Sequence, residues 1–71
     1  MFHPALAARF SRNARAEVLN IITVMGRDGI EGGVLAAHVA PYLHLTSLLP
    51  ILDRLVRDGA VMRAGRRLFA C

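Results

Sequence analysis

Thr46-Ser47-Leu48-Leu49-Pro50-Ile51-Leu52-Asp53-Arg54-Leu55-Val56-Arg57-Asp58-Gly59-Ala60-Val61 is the stretch whose reading decides how this chain folds. Leu48, Ile51, Leu52, Leu55 and Val56 recur with a 3.6-residue period, which predicts a helix over 46–58 with one apolar face. Thr46 or Ser47 is the expected N-cap, because a short hydroxyl side chain can accept from the free amides of a first turn. With Ser47 as cap, Pro50 falls within that first turn, where a missing N–H costs least. Asp53 with Arg57 and Arg54 with Asp58 stand four residues apart on the outer side and read as intrahelical ion pairs. Gly59 ends the helix.

Beyond Gly59 the pattern changes. Residues 60–64 and 67–71 flank Gly65-Arg66, a two-residue loop with glycine first, as a tight hairpin turn requires. A lone hairpin is marginal, so it must lean on the helices. Reading towards the N-terminus, Tyr42-Leu43-His44-Leu45 forms a turn. Before it a second helix runs from Gly33 through Val34, Leu35 and Val39 and stops at Ala40, since Pro41 disfavours helical geometry in the residue ahead of it. Ile30, standing between glycines, reads as a strand of one or two residues. Val18, Leu19, Ile22 and Met25 mark an amphipathic helix over about 14–25, stopped by Gly26 and Gly29. Pro4 opens a short helical arm through Phe10. Ser11-Arg12-Asn13 separates arm from helix, with Ser11 or Asn13 as the next N-cap.

Seventy-one residues allow one domain, read as an arm over 1–12 and a core over 13–71. A chain of this size buries only about 60% of its unfolded surface. Cys71 is the only cysteine, so no disulfide within the chain adds stability. The hydrophobic content of 55% then points to a dense core or a second subunit. The arm has no evident place in a three-helix core, so Phe2, Leu6 and Phe10 are the expected contacts of a homodimer. The uncharged run 32–52 is broken by Gly32, Gly33, Pro41 and Pro50 and is not a membrane span. Arg9, Arg12 and Arg15 rule against a signal peptide, and the chain reads as cytoplasmic. All nine basic residues are arginine, against five acidic ones. The net charge of +4 leans towards nucleic acid, although such arginine usage also reflects GC-rich coding.

The order of helix, brief strand, helix, turn, helix and hairpin resembles the winged helix-turn-helix fold of small bacterial regulators, of the arsenic-repressor and multiple-antibiotic-resistance types. The residues that carry the resemblance are Gly33-Val34-Leu35-Ala36-Ala37-His38-Val39, the run Leu52 to Val61, and Gly65-Arg66-Arg67 as the tip of a wing. It implies a mainly α domain with a three-helix core, a short N-terminal arm and a two-stranded C-terminal wing. It also implies a DNA-binding transcription regulator found with the nucleoid. The 46–58 helix would enter the major groove and the wing would follow the backbone. On that reading Thr46 and Ser47 donate to phosphate at the helix start, Leu49 touches a thymine methyl, and Arg54 and Arg57 line the outer side. Arg63, Arg66 and Arg67 hold phosphates. Leu49-Pro50 stands where such helices often carry base-reading polar groups, so sequence discrimination is expected to be weak.

Other chemistries find little support in the residues. His3, His38 and His44 have no metal-ligand spacing. Asp53 and Asp58 are explained by arginine partners rather than acid–base work, and the glycines match no phosphate-cradling loop. Neither catalysis, a cofactor nor a metal is expected. Cys71 reads as an inert thiol. Double-stranded DNA is the expected partner. The alternative is a protein-interaction module, docking a protein partner on an apolar patch of Leu48, Leu49 and Pro50.

Overall fold

The structure, a computed structural model, describes residues 3–71. Three helices and a small three-stranded antiparallel sheet form a mainly helical α+β domain. Helix α1 spans Pro4–Val24, α2 spans Gly32–Val39 and α3 spans Leu45–Arg57. A single 3-10 turn, Gly26–Asp28, connects α1 to strand β1, Ile30–Glu31. Strands β2, Val61–Ala64, and β3, Arg67–Ala70, make the C-terminal hairpin.

The arm and the first helix meet at a kink inside α1. Asn13 leaves helical geometry at φ −157° and ψ 82°, and its Oδ1 accepts from the Ala16 amide at 3.1 Å. Asn13, rather than Ser11, is therefore the cap that restarts the helix. The second helix ends at Val39, yet Ala40 keeps right-handed helical angles (φ −50°, ψ −40°) ahead of Pro41. What ends it is the amide that Pro41 lacks. The amides of Tyr42 and Leu43 both turn back to the Val39 carbonyl, at 2.9 and 2.8 Å.

The third helix starts two to three residues earlier than its hydroxyls suggested, and neither Thr46 nor Ser47 is its cap. His44 holds that position, its Nδ1 accepting from the Thr46 amide at 3.3 Å. Pro50 accordingly lies in the second turn, and the Thr46 carbonyl loses the helical donor that another residue would supply. At the other end the Ala60 amide reaches the Leu55 carbonyl (3.0 Å) and the Gly59 amide the Val56 carbonyl (3.1 Å). This paired closure needs a left-handed residue, and Gly59 supplies it at φ 81°.

In the hairpin, Gly65 takes φ 61° while Arg66 keeps a negative φ, the sign pattern of a type II′ turn. Strand β3 is central: it pairs with β2 from Val61↔Ala70 to Ala64↔Arg67 and with β1 at Ile30↔Leu68 and Glu31↔Arg67. The brief strand thus stitches the hairpin to the helices. Leu35, Leu52 and Leu55 lie in the core, with Val18, Ile22, Ile30, Val61 and Leu68 around them.

Two aromatic side chains decide the fate of the arm. Phe10 is only 5% exposed and stacks on Tyr42, with ring centroids 5.3 Å apart and planes 9° from parallel. The Tyr42 hydroxyl also accepts from the His3 amide at 3.0 Å. Phe10 is therefore part of the monomer's own core and not the free dimer contact that its sequence position suggested. Leu6 is half-buried. Phe2 lies outside the described residues.

Candidate functional site

Helix α3 and the hairpin meet along one side of the molecule. The Arg63 guanidinium lies 3.6 Å from an Asp53 carboxylate oxygen and joins the two. Along the outer ridge of α3 the exposed side chains follow at three- and four-residue spacing: Thr46, Pro50, Asp53 and Arg57, with Arg54 beside them. Arg54, Arg57 and Arg66 have no carboxylate partner among the described residues. The hairpin tip is anchored through its backbone, the Gly32 amide donating to the Arg66 carbonyl at 2.9 Å. That bond ties the turn to the start of α2 and leaves the Arg66 side chain in solvent.

The carboxylates of α3 do not form the expected i,i+4 pairs. Asp53 faces Arg63 instead of Arg57, and Asp58 takes Arg15 of α1 at 3.1 Å instead of Arg54. Returning elements offer these carboxylates a partner from outside the helix, and Arg54 and Arg57 are left without one among the described residues. Arg67 is partly spent as well, its Nη1 donating to the Asp28 carbonyl at 3.0 Å. Of the three hairpin arginines only Arg66 is unengaged among the described residues.

The start of α3 is less open to an anion than expected. The amides of Ser47 and Leu48 both bond to the His44 carbonyl (2.9 and 3.0 Å), and the Thr46 amide and hydroxyl are taken up by His44 Nδ1. Among the described residues the Ser47 hydroxyl has no hydrogen-bond partner. The apolar patch also changes membership. Leu48 is 1% exposed and belongs to the core, whereas Leu45 and Leu49 stand 52% and 53% exposed. These two leucines wall a groove of about 470 Å³ between the start of α3, the start of α2 and the hairpin. Residue periodicity located the apolar face of α3. It carried no signal for which leucines at its edge another element would cover.

A second cavity of about 560 Å³ lies between the arm and α2, beside the Phe10–Tyr42 stack and the Arg9–Glu17 ion pair at 3.1 Å. Among the described residues no group of three His, Cys, Asp or Glu side chains is arranged to hold a metal. Nor is any of their helices long and apolar enough to cross a membrane. Comparisons of the chain with protein-family models, with curated proteins and with solved structures find no match.

Proposed function

We propose that this chain is a winged helix-turn-helix domain that binds double-stranded DNA as a small transcription regulator, with α3 in the major groove and the hairpin as its wing. The observation that carries the reading is the set of uncompensated guanidiniums, Arg54, Arg57 and Arg66, on two elements joined by the Asp53–Arg63 contact. Each can neutralise a phosphate and release a counterion. Arg63 and Arg67 reinforce them once a phosphate outcompetes their present weak partners. The outer ridge of α3 reads bases poorly, since Pro50 offers no hydrogen bond, Asp53 repels phosphate, and Leu49 is turned to the groove instead of the ridge. Binding is therefore sequence-tolerant, governed by backbone charge and groove shape.

A regulator of this size gains specificity by pairing two domains on two half-sites, so a homodimer belongs to the proposal. Its interface does not use Phe10, which the core consumes. Gel shifts on random-sequence duplex at low and moderate salt test the reading. Binding that falls steeply with salt, and falls further in Arg57→Ala with Arg66→Ala, supports it. A chain that leaves duplex DNA unshifted at low salt overturns it and moves the function to a protein partner.

A further inference from the structure

The groove beside α3 is unlike the rest of this surface. Its walls are apolar: Leu45 and Leu49 from α3, Ala36 from α2 and Leu68 from β3. Leu45 and Leu49 are one helical turn apart and half exposed, on a helix whose other leucines are buried. Gly33 extends the space, because a Cβ placed there would meet nothing within 4 Å. The volume, about 470 Å³, falls within the range of about 300–1,000 Å³ typical of small-molecule sites.

The rim supplies a charge. Arg63 and Arg66 border the groove from the hairpin side, and the bond from the Gly32 amide to the Arg66 carbonyl holds that side in place. Arg63 is partly neutralised by Asp53, while Arg66 has no acidic partner among the described residues. Glu31 is the one acidic side chain on the lining, and it directs a negative ligand group towards the arginines. An apolar trough with an unengaged guanidinium at its edge matches one ligand chemistry: an apolar body with a single acid group.

We propose that this groove binds a small amphiphilic carboxylate, its chain or ring lying against Leu45 and Leu49 and its acid group on the Arg66 guanidinium. Because Arg66 is also a phosphate-holding group of the proposed DNA surface, the carboxylate and the duplex compete. That competition, unlike the binding itself, rests on the DNA reading.

Dodecanoate, kept below its micelle concentration, is the probe, with dodecanol as the uncharged control. Leucine methyl shifts should move at Leu45, Leu49 and Leu68 on titration with dodecanoate. Arg66→Ala should weaken dodecanoate about tenfold, the scale of one charge-assisted contact, and leave dodecanol unchanged. Gly33 lines the trough and a Cβ there meets nothing within 4 Å, so Gly33→Leu should occupy trough space without a backbone clash and abolish binding without lowering Tm. Dodecanol binding as tightly as dodecanoate, shifts confined to the Phe10–Tyr42 cavity, or unaltered binding in Gly33→Leu would each overturn the site. In the DNA arm, dodecanoate should displace duplex from the wild type and not from Gly33→Leu. Duplex that never binds removes the DNA reading and leaves the groove standing. Duplex that stays bound at saturating dodecanoate removes the competition.

Discussion

The arm and the hairpin are matched appendages put to different uses. Three arginines stand at each: Arg9 and Arg12 on the arm with Arg15 just past its kink, and Arg63, Arg66 and Arg67 on the hairpin. Near the arm, two carboxylates answer, Glu17 to Arg9 and Asp58 to Arg15, both at 3.1 Å. At the hairpin Asp53 alone answers among the described residues, at 3.6 Å, and Arg67 makes do with a backbone carbonyl. Arg54 and Arg57 stand nearby with no carboxylate partner among the described residues. Equal arginine counts in the sequence thus become one largely compensated surface and one that keeps its field. The difference teaches that partners, more than composition, decide where a basic chain can hold an anion.

The two appendages also enter the core differently. The arm contributes Phe10 through an aromatic stack, and the hairpin contributes Val61 and Leu68 through a ladder. If both are integral, deleting either anchor should hurt comparably. Phe10→Ala should cost about 3–5 kcal/mol and Leu68→Ala about 2–5 kcal/mol in thermal or denaturant unfolding. For so small a domain either loss approaches the whole stability. A Phe10→Ala variant that melts as the wild type does would reduce the arm to a loosely held extension and break the comparison.

The next effect in size concerns charge. Arg66→Ala combined with Arg67→Ala should weaken duplex binding at all sequences about equally. It should also flatten the slope of log K against log salt by roughly 0.9 for each phosphate no longer neutralised. Arg9→Ala with Arg15→Ala should leave that slope nearly unchanged, because those side chains already face carboxylates. Equal slopes for the two double variants would show that the arm and hairpin surfaces serve DNA alike.

Smaller still is the cap of α3. His44→Ala removes the acceptor of the Thr46 amide and should cost about 0.5–2 kcal/mol, with His44→Asn recovering most of it. Urea midpoints of the two variants measure this directly. No recovery in His44→Asn would mean that the ring's contacts, and not the cap, matter there. Least of all, Asp58→Ala should cost under about 1 kcal/mol, since the Arg15–Asp58 pair is exposed on both sides. A larger loss would show that this pair fastens α1 to α3 and does more than screen charge.

Much of the fold was legible in local pattern. The period of Leu48, Leu52 and Leu55 marked α3 and its buried face, and Gly59 and Gly65 marked where helix and hairpin must turn. Isolated Ile30 marks a strand, because an apolar residue between glycines needs cover and the ladder to Leu68 provides it. These are properties of neighbours in the chain: backbone geometry, missing amides and side-chain spacing act over a few residues and leave a trace in sequence order.

The candidate site was legible in composition and not in detail. By sequence Thr46 is an open donor, yet His44 two residues earlier claims it, since an imidazole nitrogen takes the place of the hydroxyl cap. Asp53 and Asp58 had partners available four residues away, but Arg63 and Arg15 arrive only when distant elements fold back. Leu48 and Leu49 are adjacent and chemically identical, and only the packing of α3 separates a core residue from a groove wall. Phe10 likewise carried no sign of Tyr42, thirty-two residues on. The chain by itself therefore determined its helices, its turns and its central leucines. Tertiary structure alone decided which charges are cancelled and which apolar side chains are covered, because both depend on groups that sequence order keeps far apart.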